Sequence, residues 1–232
     1  MNSSMKWLGV TVLCLGLAVA QTINPAADSK KTFVGLPQYG VTLTGDPGKP
    51  TIVNTSGKVI LAWVLWEQDA TGFGPSGITI ETQNLRNGSM RTGPTAADLT
   101  VIRPTGGVLR PDGTLQGAFV KATLQAVVFG DGEYVGEDSL NSFQIISAGI
   151  EAERTFAQSV LSKKISWADI EALAEDRNPT KTARGPAEAA GLHARASLAG
   201  DLVYARQQAG DEIALRAAEW SSKLPVIWRS QK

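Results

Sequence analysis

The sequence predicts an α+β fold, an antiparallel β-sandwich of the immunoglobulin-like kind followed by a C-terminal helical segment, and three observations carry that prediction. From about Lys31 to Val135 the chain is rich in Thr, Val and Ile, punctuated by Gly, Pro, Asn and Asp at the intervals of short antiparallel strands. After Gly136 alanine and charge replace threonine and valine, and apolar residues recur at the helical period. Ahead of both, one positive charge, Lys6, precedes an apolar run from Trp7 to Ala20 that closes on Ala18-Val19-Ala20.

That run reads as a secretory signal peptide over residues 1–20 with an A-x-A cleavage site. Its apolar stretch is about fourteen residues, short of the roughly twenty that span a bilayer as a helix, and polar Gln21, Thr22 and Asn24 follow directly. The sole cysteine, Cys14, lies inside the segment that cleavage removes, so the mature chain is expected to have no disulfide, thiol nucleophile or cysteine metal site. Lipid attachment at Cys14 fits less well, because Thr11-Val12-Leu13 lacks the small residue expected before it. The expected destination is the periplasm or the extracellular space.

Between residues 21 and 136 the clearest strand is Ala118 to Phe129, where Val120, Ala122, Leu124, Ala126 and Val128 are expected on one face and Lys121, Thr123 and Gln125 on the other. Asp131-Gly132 supplies a hairpin turn, with Glu133-Tyr134-Val135 returning as a short partner. Val59 to Trp66 is apolar throughout, as a strand covered on both faces is. The turn Asn54-Thr55-Ser56-Gly57 before it suggests a hairpin with Pro50 to Val53. Weaker strands are read at Gly40 to Leu43, Ile78 to Thr82, Leu99 to Ile102 and Val108 to Arg110. The Cys-Trp-Cys signature of true immunoglobulin domains is absent.

Over residues 137–232 the spacing of Phe143, Ile146, Ile150, Ala157 and Leu161 predicts an amphipathic helix from Leu140 to Ser162. Ser166-Trp167-Ala168-Asp169 is a capping box that opens a second helix to about Glu175, and Arg177-Asn178-Pro179 stops it. Thr180 to Pro186 reads as a loop. Ala187 to Gln208 and Asp211 to Lys223 are two further helices parted at Gly210, and Trp228 is expected to dock the tail. Because each helix has only a narrow apolar stripe, the helical region is expected to pack on the sandwich.

Charge excludes some partners. With 22 basic and 22 acidic residues the chain is neutral, and loss of Lys6 leaves it slightly acidic, which gives no electrostatic case for nucleic acid or a polybasic membrane patch. Nor does a second long apolar run provide an anchor, so no transmembrane span is expected after signal cleavage. One histidine, His193, cannot build a His-rich metal site and reads as a surface or helix-packing residue. The motifs G-x-S-x-G, H-E-x-x-H and G-x-x-x-x-G-K-[ST] are missing.

Candidate chemistry is therefore sparse, and no cofactor is expected. Asp131 and Glu133, with Glu137 and Asp138, gather oxygen ligands that suit calcium, although turn and capping roles explain the same residues. Glu67 and Asp69 at the end of the apolar strand form the one carboxylate pair suited to a hydrolase of polysaccharide or another envelope polymer. Trp63 and Trp66, three positions apart on a strand, project from opposite faces and with Phe73 form a candidate surface for a protein or glycan partner. Arg184, Arg195 and Arg206 recur every eleven residues, which reads as a solvated helix face. Asn54-Thr55-Ser56 and Asn87-Gly88-Ser89 match glycosylation acceptors but are first of all turns. The sum is an expectation of a non-enzymatic interaction or structural module, with the hydrolase as alternative.

Overall fold

A computed structural model describes residues 32–46, 49–69, 77–82, 99–100, 108–109, 115–116 and 119–230. The proposed signal peptide, Cys14, Phe73 and Asn87 lie outside these residues.

Eleven strands and four α-helices are described: β1 Thr32–Val34, β2 Val41–Asp46, β3 Lys49–Asn54, β4 Ile60–Asp69, β5 Gly77–Thr82, β6 Leu99–Thr100, β7 Val108–Leu109, β8 Leu115–Gln116, β9 Phe119–Phe129, β10 Glu133–Gly136, then α1 Ser142–Leu161, α2 Trp167–Glu175, α3 Pro186–Ala209, α4 Asp211–Ser222 and finally β11 Trp228–Arg229. The main sheet runs β11-β10-β9-β4-β5, with β1 also on β9. β2-β3-β6 and β7-β8 form two smaller sheets.

The molecule is α+β, but the antiparallel immunoglobulin-like sandwich is not what forms. The main sheet is mixed, since β1 runs parallel to β9 and β11 parallel to β10. Helices cover its second face: Ile146 and Ile150 of α1, with Leu224, pack on Leu61, Ala62, Val64, Ala126, Val128 and Tyr134. The strands that make the sheet mixed, β1 and β11, are short and come from the two ends of the described chain, so no turn dipeptide announces their pairing. On the first face, Trp63, Leu65, Leu124, Val127 and Phe129 meet Val41, Leu43 and Ile52 of the small β2-β3-β6 sheet.

The expected hairpin between Pro50 to Val53 and Val59 to Trp66 does not form either. β3 pairs with β2 and β6, whereas β4 pairs with β5 and β9. Asn54 to Lys58 is instead a corner between sheets. Asn54 Oδ1 accepts from Ser56 N at 3.1 Å and Oγ at 2.6 Å, while Asn54 Nδ2 donates to the Lys58 carbonyl at 2.7 Å. The local turn chemistry was legible, but those bonds equally suit a chain leaving one sheet for another.

A third correction concerns the faces of β9. Opposite β4 the register jumps between Val64↔Ala126 and Leu65↔Leu124, leaving Gln125 as a bulge. Ala122 and Leu124 therefore share the first core with Val127 and Phe129, while Ala126 and Val128 turn to the helices. The bulged Gln125 carbonyl accepts from Glu137 N at 2.8 Å. Gly136, at φ +104°, makes that approach possible, since a Cβ there would lie 2.1 Å from the same oxygen.

A separate helical core joins Phe156, Ala157 and Val160 of α1 to Ile170 of α2, Leu198, Ala199 and Leu202 of α3, and Ala218 of α4. The capping box of α2 is complete, Ser166 Oγ accepting from Asp169 N at 3.2 Å and Asp169 Oδ2 accepting from Ser166 N at 3.1 Å. Gly210, at φ +86°, parts α3 from α4.

Candidate interaction surface

The chain's end is built into the sheet by contacts that are far apart in sequence. Leaving α4, Leu224 enters the core beneath the sheet, and Trp228 N donates to the Gly132 carbonyl at 3.0 Å. Trp228 Nε1 donates to the Asp131 carbonyl at 3.2 Å, and Ser230 N to that of Tyr134 at 3.4 Å. Arg229 is paired with Asp138 and stacks over the Phe143 ring at 4.5 Å. Phe143 in turn meets Tyr134 edge-on at 5.4 Å. Val226 and Trp228, two residues apart in extended chain, are nevertheless 66% and 46% exposed. Among the described residues β11 is the outermost strand of its sheet. An edge strand with an exposed apolar side chain can accept another extended chain.

Asp131 and Glu133 are brought together beside this edge, but around an ammonium group. Lys58 Nζ lies 2.6 Å from Asp131 Oδ2 and 2.8 Å from Glu133 Oε2, and sits 5.3 Å from the centre of the Phe129 ring. Burial pushes the Asp131 carboxyl up, yet the bonds from Lys58 and from Glu133 N bring it below the ordinary value. Lys58 likewise holds Glu133 down, against burial. The two carboxylates thus share one cation from the inter-sheet corner, which leaves the cluster with a net charge of −1 and ties that corner to the β9–β10 turn. Among the described residues no three His, Cys, Asp or Glu side chains gather as a metal-ligand set.

Glu137 and Asp138 also act within the fold. Asp138 Oδ1 accepts from Phe143 N at 2.8 Å at the start of α1, and the Glu137 carbonyl accepts from Tyr134 Oη at 2.7 Å. Tyr134 Oη is also 2.7 Å from the fully buried Ser142 Oγ. Burial raises the Tyr134 hydroxyl above its ordinary value, against the bond to Ser142.

Of the aromatic candidates, Trp63 belongs to the first core at 7% exposure, with its Nε1 buried and without a partner among the described residues. Trp66 is half-buried, with Lys121 Nζ 5.3 Å from its ring centre. Glu67 and Asp69 stand on β4 opposite Ala122 and Phe119. Arg195 lines an open groove of about 450 Å³ between α1 and α3, beside Ala148, Glu151, Ala152 and Phe156. Arg206, by contrast, is tied to Glu171 at 3.1 Å and Asp211 at 2.7 Å and stacks over Trp167 at 4.4 Å, so it joins three helices. Arg184 uses its backbone N–H on Glu188. His193 is half-buried on α3.

Sequence reasoning missed Val226 and recognised Trp228 only as a docking residue. The alternation Val226-Ile227-Trp228 after Pro225 was a usable strand signal, Ile227 facing the core while its neighbours face out. Three residues are too short a run to stand out from a polar tail. Comparison of the chain with protein-family models, curated proteins and solved structures finds no match. Among the described residues no helix is long and apolar enough to cross a membrane.

Proposed function

We propose that the chain is exported by its N-terminal segment and acts without turnover as an interaction module, docking an extended segment of a cell-envelope protein along β11. The observation that carries this reading is the exposure of Trp228, on a strand outermost among the described residues, and of Val226 just before it, with the backbone held at Gly132 and Tyr134. Main-chain groups on a free strand edge give an extended peptide its affinity, and two apolar side chains at alternate positions give it register. Trp66, half-buried on the main sheet, is a second contact candidate.

Three measurements test it. Mass spectrometry of the protein recovered from its native host is expected to find a chain beginning at Gln21; an intact Met1 in the functional fraction refutes export. Affinity capture from envelope extracts is expected to return a partner with the wild type and to lose it with the Val226→Asp, Trp228→Asp double variant. Retention of that partner at the wild-type level rejects β11 as the surface. Turnover of a polysaccharide that disappears in the Glu67→Gln, Asp69→Asn double variant replaces this reading with the hydrolase.

A further inference from the structure

The helical half carries a carboxyl group whose surroundings are poorly suited to a charge. Glu153 sits half-buried on α1, and its Oε1 accepts a hydrogen bond at 2.8 Å from Ser221 Oγ of α4. Ser221 is fully buried, as are Ala218 one turn before it on α4 and Ala157 one turn after Glu153 on α1, which share one core cluster. Methyl groups offer an ionised carboxylate no compensation for lost water. From α3 the Asp201 carboxylate adds repulsion. The cations next to the pair in sequence have partners of their own: Arg154 donates to the Leu224 carbonyl at 3.3 Å and pairs with Glu151, and Lys223 pairs with Glu219 at 2.6 Å.

We propose that this junction of α1, α3 and α4 is a pH-responsive joint, closed while Glu153 is protonated and loosened at α4 when it ionises. A protonated carboxyl shares the Ser221 hydroxyl as a neutral hydrogen-bonded pair. An ionised one keeps that bond but places a desolvated charge opposite Asp201. Desolvation first, and Asp201 second, lift Glu153 from its ordinary 4.5 to about 7, against the Ser221 bond, so the transition falls near neutrality. The sign follows from proton binding: the folded chain holds a proton on Glu153 that the unfolded chain has released between those two values, so stability falls as pH rises through that interval.

The test is urea unfolding of the mature wild-type chain at pH 5 and pH 8, with Glu153→Gln and Asp201→Asn alongside. The wild type is expected to show an unfolding constant on the order of a hundredfold larger at pH 8, a factor set by the linkage of that proton to folding. Glu153→Gln, which keeps an acceptor for Ser221, should remove most of that factor, and Asp201→Asn should move the wild-type transition to lower pH. At the same time hydrogen exchange of the 211–222 segment, corrected for intrinsic rates, should speed up above neutrality in the wild type and not in Glu153→Gln. An unchanged pH factor in Glu153→Gln overturns the proposal. Should that variant fail to fold, carbon NMR of the Glu153 carboxyl in the wild-type chain decides: a midpoint near neutrality supports the joint, and one near 4.5 refutes it.

Discussion

Gly132 has two roles, of which a hairpin glycine ordinarily has one. Its φ of +89° is the left-handed backbone that the Asp131-Gly132 turn requires, and a Cβ there would stand 2.2 Å from the Val226 carbonyl oxygen. Replacing it with alanine therefore strains the turn and drives the tail off the sheet edge. Gly132→Ala should cost about 2–3 kcal/mol in denaturant unfolding and redshift Trp228 fluorescence, whereas a turn defect alone leaves the tail emission unchanged. Lys58 illustrates a weaker interaction at the same turn. Its partners Asp131 and Glu133 have lowered folded values, so their contribution is present above the ordinary 3.8 and 4.5 and is lost as pH falls below them. Lys58 itself is raised above 10.5, mainly by its bonds to the two carboxylates, so its share is complete below that pH and lost above it. Because Lys58 and Asp131 are nearly half exposed, Lys58→Met should cost under about 1 kcal/mol at pH 7. The difference between variant and wild type should shrink toward zero on acidification below about pH 4. A difference independent of pH would assign the effect to the Phe129 contact instead.

At the scale of elements, helices were legible and sheet assembly was not. The sequence bounds of the four helices hold to within a couple of residues, because helical periodicity, capping boxes and Gly210 are local signals. Strand partners depend on contacts across the whole chain, and a bulge such as Gln125 reverses the facing of every later residue without altering composition. The packing of α1 on α3 was equally invisible, since Gly191 in an alanine-rich helix reads only as a weak point. A Cβ at Gly191 would come 3.3 Å from Ala152 Cβ and 3.5 Å from the Ala148 carbonyl oxygen, so the two helices approach as closely as small residues allow. Alanine at this position gains about 1 kcal/mol of helix propensity and meets a slight crowding, so Gly191→Ala should be within about 1 kcal/mol of wild type. Gly191→Leu cannot be housed and should cost about 3 kcal/mol or more, measured by urea unfolding. Equal effects of the two substitutions would mean that backbone entropy, not helix contact, sets the role of this glycine.

For the molecule as a whole, the decisive feature is that α1 belongs to two cores at once. Its Ile146 and Ile150 lie under the main sheet, while Phe156, Ala157 and Val160, one to three turns further on, fill the helical core with α2, α3 and α4. The candidate surface depends on the same continuity, since α4 delivers Leu224 to the sheet core and the chain reaches β11 only from there. None of this was readable from composition, because an apolar stripe does not say which neighbour covers it; only the narrowness of the stripes hinted that the helices need the sheet. A helix shared by two cores ties their stabilities together, so the sheet and the helices should unfold in one transition. Ile150→Ala tests the coupling directly. Ile150 is 3% exposed beneath the sheet, and truncation there should cost about 2–4 kcal/mol through lost burial and the cavity left behind. If the two cores are coupled, helical ellipticity and the near-ultraviolet signal of the aromatic residues should both shift to lower urea by the same amount. Two separated transitions, with only the tertiary signal moved, would mean that the helices keep their structure after leaving the sheet, and that β11 can be released without unfolding the rest.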